Sequence, residues 1–105
     1  MAKAKPKQEL YQYTVLKQDG TTEELKPSPR KDLNELYKIL NCTTVEIIPK
    51  AYYQHKDYGH CVIWGDEEAR FNTNNKRNPH FETLMDAESQ EIFDIVGDVV
   101  LERKA

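Results

Sequence analysis

The sequence predicts an α+β domain: a mixed or mainly antiparallel sheet of about five to six strands, with one main helix packed on a face and a second, short helix. Three observations lead to this class. Residues 29–41 carry apolar side chains at helical spacing, β-forming runs stand on both sides of them, and Gly, Pro and Asn residues separate those runs. A chain of 105 residues has room for one core. Residues 10–105 are therefore expected to form a single domain behind a disordered, basic leader at 1–9.

A β-hairpin is expected first. Residues 11–17 are rich in strand-forming types, and residues 21–25 give a short return strand. The dipeptide Asp19-Gly20 between them is favoured in tight hairpin turns because it tolerates positive φ.

The main helix is expected over residues 29–41. Ser28 can cap the free amide groups at its start, and Pro29 suits the first helical position, where a missing N–H costs nothing. Asn41 is a residue type that often ends helices. The side chains at positions i, i+3, i+4 and i+7 form the apolar stripe that should pack on the sheet: Leu33, Leu36, Tyr37 and Leu40.

Three further segments follow the helix. Residues 45–48 form a strand, and residues 51–60 form either a long loop or an irregular hairpin end. Residues 61–64 are β-forming without polar interruption, so both faces of that strand should be covered, and Val62 and Trp64 should be buried.

The remaining elements are an acidic turn, a short strand, a second helix and a closing strand, at 65–68, 69–71, 79–86 and 95–101. Asn78-Pro79 resembles a cap followed by a first-turn proline. Gly97 permits a bulge or a close backbone approach in the closing strand.

The charge of the chain is divided unevenly. The net charge is −3, but three lysines, Lys3, Lys5 and Lys7, lie in the leader. Without them, 12 of the 15 basic residues remain against 18 acidic residues, a net charge of −6. An acidic body is repelled by phosphate, so nucleic acid is disfavoured as a partner and a protein is favoured.

The composition also indicates a compartment. The two cysteines, Cys42 and Cys61, give no disulfide framework. No hydrophobic run approaches the roughly 20 residues that span a bilayer, and no apolar segment follows the basic residues of the leader. These features predict a cytoplasmic protein with free thiols and no membrane association.

A series of short motifs resembles a known family. In order they are LNELYKILN, VEIIP, the turn DEEAR, FNTN and IVGDVVL, within residues 32–101. Their order is similar to that in a family of short uncharacterised proteins, a domain of unknown function encoded mostly by phages, plasmids and large DNA viruses. The matching residues are Glu46, Asp66, Glu67, Asn74, Gly97 and Asp98. Asn41-Cys42 and Ala69 stand where that family has glycines. The resemblance implies a mobile-element or viral origin, hence the interior of a host cell, and no established activity.

No residue set specifies a reaction. Glu46 and Asp66, with the adjacent Glu67 and Glu68, could serve a small hydrolase or a metal site if the carboxylates converged, but adjacent acids in a turn usually point into water. The zinc-capable residues lack the close cysteine pair of most structural sites: Cys42, His55, His60, Cys61 and His80. We therefore predict no catalytic residue, no metal and no cofactor, and favour a protein that is not an enzyme.

Two loops supply the candidate binding residues: Tyr52, Tyr53 and Tyr58 in an aromatic loop at 52–58, and Asn72, Asn74, Asn75, Lys76 and Arg77 in a polar loop at 72–78. Tyrosine, asparagine and arginine are ordinary components of a protein interface. The same side chains could stack and hydrogen-bond with single-stranded nucleic acid. In a third interpretation, the asparagines only shape the backbone and the tyrosines only pack.

The sequence thus predicts a viral or phage accessory protein that binds a host or viral macromolecule, most simply a protein, without turnover. One alternative is a nucleic-acid-associated protein using both loops, and another is the small hydrolase or metal-binding protein using Glu46 and Asp66. A homodimer is also expected, joined by a sheet edge or a helix face, because residues 11–15 offer a β-rich edge with few charges. The charges of the last strand, Asp98, Glu102 and Arg103, would guard other edges.

Overall fold

The computed structural model describes residues 9–48, 54–55, 57–80 and 95–105, with the backbone alone at 54–55, and it has the predicted α+β fold. The elements in chain order are β1 (Tyr11–Leu16), β2 (Thr22–Glu24), α1 (Leu33–Leu40), β3 (Val45–Ile47), β4 (Gln54–His55), β5 (Gly59–His60), β6 (Val62–Asp66), a 3-10 helix (Ala69–Phe71) and β7 (Val99–Lys104). Three predictions lie outside the described residues: the leader at 1–8, the aromatic pair Tyr52 and Tyr53, and the second helix from residue 81 onward.

Five strands form one antiparallel sheet in the order β2-β1-β7-β6-β3, and β4 and β5 form a separate pair. The last strand, β7, is therefore the centre of the sheet, between β1 and β6. Each face of the sheet has its own cluster of buried side chains. Tyr13, Val15, Leu36 and Val100 form the cluster beneath α1; Leu16, Cys61, Ile63, Ile95, Val99 and Leu101 form the other.

The first hairpin is confirmed. β1 pairs with β2, and the turn between them places Gly20 at φ +93°, a conformation that glycine adopts without strain. The Asp19 carboxylate accepts hydrogen bonds from the N–H and the hydroxyl of Thr21, at 2.8 and 2.6 Å, which fixes the turn.

The open edge predicted at residues 11–15 is wrong, because β1 lies inside the sheet. On the side away from β7, β1 pairs with β2, and farther along with Ser28, whose N–H and C=O bond to Tyr11 at 3.1 and 2.7 Å. Among the described strands, β2 and β3 are at the edges of the sheet, with Glu23 and Glu46 at their middle positions. A glutamate in the middle of each edge opposes pairing with the same edge of a second copy.

The helix is shorter than predicted at its start. It begins after Asp32, whose carboxylate accepts the Glu35 N–H at 2.9 Å, so Asp32 and not Ser28 is the cap. Ser28 cannot serve because its backbone is paired with Tyr11. Asn41 ends the helix as predicted, in the left-handed conformation at φ 51°.

The apolar stripe of α1 is only partly the predicted one. Leu36 is buried, and Leu40 packs against the cluster beneath the helix, as expected. Leu33 is 50% exposed, so its predicted packing is wrong. Ile39, which was not predicted, also packs against this cluster.

The strand at 61–64 is confirmed as β6 and continues to Asp66. Both faces are covered, since Ile63 is buried in one cluster and Trp64 packs against the other, while Val62 is half-buried. The residues that follow differ from prediction. Residues 69–71 form a 3-10 helix and not a strand, because the Asp66 carboxylate accepts the Glu68 N–H at 2.9 Å and turns the chain immediately.

The closing strand begins at Val99, later than predicted. Gly97 adopts φ +79°, and this left-handed conformation interrupts the extended backbone, with Val96 forming only an isolated bridge to Arg77. The predicted guards Glu102 and Arg103 lie in the central strand and not at an edge.

Candidate functional site

The turns at one end of the five-stranded sheet pack against one another, and residues 17–21, 66–80 and 95–98 are here called the loop end. Two backbone-to-side-chain bonds join its segments: the Lys76 N–H donates to Gln18 Oε1 at 2.5 Å, and the Gln18 N–H donates to Asp98 Oδ1 at 2.8 Å. The Gly97 N–H also donates to the carbonyl of Lys76 at 2.8 Å. The polar loop is thus fixed to the sheet at several points.

Asparagine side chains shape that loop from within. Asn72 Oδ1 accepts the N–H of Asn74 at 3.0 Å, and Asn75 Nδ2 donates to the carbonyl of Ala69 at 2.9 Å. These bonds agree with the interpretation that asparagine here supplies backbone geometry. Asn72 and Asn75 therefore have an internal use, whereas the side chain of Asn74 is exposed.

Asn78 is the most deeply placed of the asparagines, with no exposed surface. Its Nδ2 donates to the carbonyls of Leu16 and Gly97, both at 2.8 Å, and its Oδ1 accepts the N–H of His80 at 2.9 Å. One side chain thus joins the end of β1, the turn before β7 and the loop itself.

Phe71 is held at the tip of the loop end with 85% of its surface exposed. Its N–H donates to the Glu68 carbonyl at 3.0 Å, and the neighbouring Ala69 is buried and bonded to Asn75. The ring is therefore presented by an anchored turn. The sequence had predicted Phe71 as part of a strand, although a lone aromatic between Arg70 and an asparagine-rich segment, with no apolar alternation, was the signal for an exposed position.

The structure divides the predicted binding residues between the two ends of the sheet. Lys76 and Arg77 are exposed at the loop end, together with Phe71. Tyr58 lies at the opposite end, where the guanidinium of Arg103 sits 4.9 Å above its ring. Val99 is near the loop end of β7, and Arg103 is about 13 Å farther along the strand. Tyr58, the described tyrosine of the aromatic loop, therefore lies on a different surface from the polar loop.

Most residues of the family resemblance collect at the loop end: Asp66, Glu67, Asn74, Gly97 and Asp98. Glu46 lies outside the loop end, and its carboxylate does not converge with that of Asp66. The register pairs Val45 with Asp66 and Glu46 with Gly65, and successive strand residues point to opposite faces, so Glu46 and Asp66 point away from each other. The hydrolase or metal-binding alternative therefore lacks the convergence that it requires.

Within the described ranges, no three side chains of His, Cys, Asp or Glu come together as a metal-binding group. Burial and the nearby charge of Asp66 raise the pKa of the Cys42 thiol, which opposes the thiolate form that binds metals or attacks substrates. In the same part of the chain, no helix is long and apolar enough to cross a membrane.

The end of the sheet opposite the loop end contains a cavity of about 380 Å³, beside the last residues of β7. Glu102, only 5% exposed, lines it. Glu102 Oε2 accepts the Tyr13 hydroxyl at 2.6 Å, and the Tyr13 oxygen accepts the Lys31 N–H at 2.8 Å. Burial and the bond to Glu102 raise the pKa of Tyr13. No pattern in the sequence indicated this site, because β7 could not be recognised as the central strand.

Comparison with known proteins found no relative: no protein-family model, no curated protein and no solved structure matches the chain. The resemblance to the phage and virus family stays a prediction. What the molecule does must therefore be inferred from its loop end and its cavity.

Proposed function

We propose that this chain is a binding domain without turnover, a viral or phage accessory protein that docks on a host or viral protein through its loop end. The observation that carries the proposal is the exposed ring of Phe71. The viral setting is supported only by the motif resemblance, and protein as the partner class is favoured by the acidic body.

An anchored, exposed aromatic side chain is suited to binding. Aromatic rings bury a large area on contact and lose little conformational entropy, and they dominate the energetics of many interfaces. The hydrogen bonds that hold the 3-10 helix mean that Phe71 needs little ordering when a partner binds. The loop end also carries exposed charges of both signs, Lys76 and Arg77 as well as Glu67 and Glu68, so the partner surface would be an apolar pocket with a rim of mixed charge.

Site-specific photo-crosslinking tests the proposal directly. Phe71 is replaced by a photoreactive aromatic residue, and the protein is irradiated in lysate of host cells. The matched control carries the same residue in place of Ile47, another exposed apolar side chain, at the sheet edge. We expect a discrete crosslinked protein from position 71 and none from position 47, whereas equal labelling from both positions would contradict the proposal.

The binding affinity can be measured once the partner is purified. Phe71→Ala should weaken binding by about 30-fold, the equivalent of about 2 kcal/mol for a central aromatic contact. The substitution should leave the free energy of unfolding within about 0.5 kcal/mol of the parent, because the ring packs on little. Unchanged affinity would exclude the loop end as the docking surface.

Nucleic acid is the alternative, since Phe71 could stack on a base beside Lys76 and Arg77. An electrophoretic shift series with single-stranded and duplex oligonucleotides at two salt concentrations separates the two. Tight, salt-sensitive binding that Lys76→Ala/Arg77→Ala abolishes would favour nucleic acid over a protein partner.

Self-association stays a prediction, and it needs a surface other than the first strand. The exposed side chain of Leu33 makes the helix face the remaining candidate from the sequence. A light-scattering mass near 12.3 kDa at high micromolar concentration would exclude a homodimer.

A further inference from the structure

The cavity beside β7 exists because the strand pairing stops there. β6 ends its pairing with β7 at Val62 opposite Glu102, while β7 continues to Lys104. Successive residues of a strand direct their N–H and C=O groups to opposite sides. Because the Ala105 N–H donates to the Leu10 carbonyl, the odd-numbered residues of β7 bond to β1, and the even-numbered residues direct their N–H and C=O toward β6. The backbone polar groups of Lys104 therefore face the cavity, where no strand residue within the described ranges pairs with them.

The carboxylate of Glu102 has spare accepting capacity in this cavity. Its Oε2 has one short hydrogen bond, from Tyr13 at 2.6 Å. Its Oε1 has Arg30 Nε at 3.9 Å, which is beyond hydrogen-bonding distance. An ionised carboxylate accepts about four hydrogen bonds, and a buried one is costly when it is under-bonded. The site thus favours a ligand group that donates hydrogen bonds and carries positive charge.

The rim of the cavity has the opposite sign. Arg30 and Lys104 line it with side chains that are 66% and 72% exposed. The guanidinium of Arg30 is stacked 4.9 Å above the Tyr11 ring, and the Lys104 ammonium is paired with Glu9 at 3.3 Å. An exposed ion pair contributes about 0–1 kcal/mol and an exposed cation–π contact about 0.5–1 kcal/mol, so an anionic group of a ligand can compete with these partners at little cost.

The cavity has a negative group in its interior and positive groups at its rim, a short distance apart. It therefore selects a ligand with a positive group at its inner end and a negative group at its outer end. We propose that this cavity binds a small zwitterion of the α-amino-acid class, with its ammonium group donating to Glu102 and its carboxylate bound by Arg30 and Lys104. The two charged groups of an α-amino acid are attached to one carbon atom, a separation that suits Glu102 Oε1 and an arginine 3.9 Å away.

The remaining walls accommodate the side chain of such a ligand. Tyr11, Tyr58, Cys61 and Val62 line the cavity with apolar or aromatic surface, which favours an apolar or aromatic group on the ligand. His60 and Arg103 complete the lining, and the Arg103 guanidinium is already stacked on Tyr58 and hydrogen-bonded to Thr14 Oγ1 at 2.9 Å. The volume of about 380 Å³ is at the small end of ligand pockets and fits one amino acid rather than a cofactor. This site is at the far end of the sheet from Phe71, so it does not depend on the function proposed for the loop end.

A ligand series distinguishes the charges that are recognised. The protein is titrated with L-leucine, L-leucinamide, N-acetyl-L-leucine and inorganic phosphate, and backbone amide shifts are followed by NMR. L-leucine should give saturable shifts at Val62 and Glu102 to Lys104 at millimolar concentration. The amide lacks the carboxylate and the acetyl derivative lacks the ammonium, so each should bind about tenfold more weakly or worse. No saturable shift with L-leucine would overturn the proposal.

Two variants test the roles of the protein groups. Arg30→Gln and Glu102→Gln should each weaken L-leucine binding by about tenfold or more, whereas Lys38→Gln and Glu23→Gln, which change exposed charges elsewhere, should leave it unchanged. Since Arg30 is largely exposed, its variant should fold even if the Glu102 variant does not. If Glu102→Gln instead strengthens the binding of phosphate or N-acetyl-L-leucine to the level of L-leucine, the cavity is a simple anion site and the proposal is wrong.

Discussion

Asn78 gives the sharpest test of the fold. Replacing it with alanine removes three hydrogen bonds: two from Nδ2 to the carbonyls of Leu16 and Gly97, and one from the His80 N–H to Oδ1. Each bond contributes about 1 kcal/mol, and carbonyls left buried without a donor add to the loss. We expect Asn78→Ala to lower the free energy of unfolding by about 2–4 kcal/mol, a large part of the roughly 5–15 kcal/mol of a small domain.

The aspartate variant separates hydrogen bonding from packing. In Asn78→Asp a carboxylate oxygen takes the place of Nδ2, 2.8 Å from two carbonyl oxygens, so the charged form is strongly disfavoured in the fold. The pKa of this aspartate is thereby raised above its unfolded value. The variant should be nearest to the parent in stability below about pH 4, and should lose stability as the pH rises through the raised pKa.

Urea unfolding followed by circular dichroism measures both effects, with Asn74→Ala as the matched control because the Asn74 side chain is exposed. The control should stay within about 0.5 kcal/mol of the parent. A loss for Asn78→Ala as small as that of the control would show that the three bonds do not hold the loop end to the sheet. Faster amide exchange confined to residues 76–80 and 95–98 would mean that the loop end opens separately.

Two further predictions concern Tyr13 and Gly97. Tyr13→Phe removes the only short hydrogen bond described for the buried Glu102, and should cost about 1–3 kcal/mol in urea unfolding. Because its pKa is raised, Tyr13 should be the last described tyrosine to ionise in an ultraviolet titration. The stability that its neutral form contributes should be fully present below about pH 10 and lost as the pH rises further; ionisation of Tyr13 together with the other tyrosines would refute this. Gly97→Ala should cost about 1–2 kcal/mol, since φ is +79° and the new Cβ would lie 3.4 Å from the Asn75 side chain; a neutral result in the same unfolding assay would contradict the described turn.

Elements whose signal is local could be predicted from the sequence. The Asp19-Gly20 turn, the end of the helix at Asn41 and the strand around Ile63 each depend on residues within a few positions, and each is present. The start of the helix could not be predicted because Ser28 and Asp32 are both good caps. What decides between them is the pairing of Ser28 with Tyr11, a contact between distant segments.

The candidate sites were harder still to predict, because they too depend on contacts between distant segments. Glu102 follows an apolar run near the end of the sequence, which suggests an exposed residue at the end of a strand. Its burial comes from the position of β7 between β1 and β6, and strand order is not encoded in any single segment. The error at Phe71 had the opposite direction, since an exposed residue was predicted to lie in a strand. The prediction followed strand propensity alone, and residues 69–71 form a 3-10 helix.

The central position of β7 also determines when this protein can fold. The Tyr13–Glu102 contact spans 89 residues of chain, and every pairing of β1 with β7 has a similar span. Among the described strands, a nascent chain that ends before Val99 has the separate β4–β5 pair and two hairpins of the main sheet, β1–β2 and β3–β6, each with an apolar strand that lacks its β7 partner. Long-range pairing is slow because loop closure precedes the gain in contacts. The two hairpins therefore remain exposed to aggregation during synthesis until the last strand emerges and inserts between them.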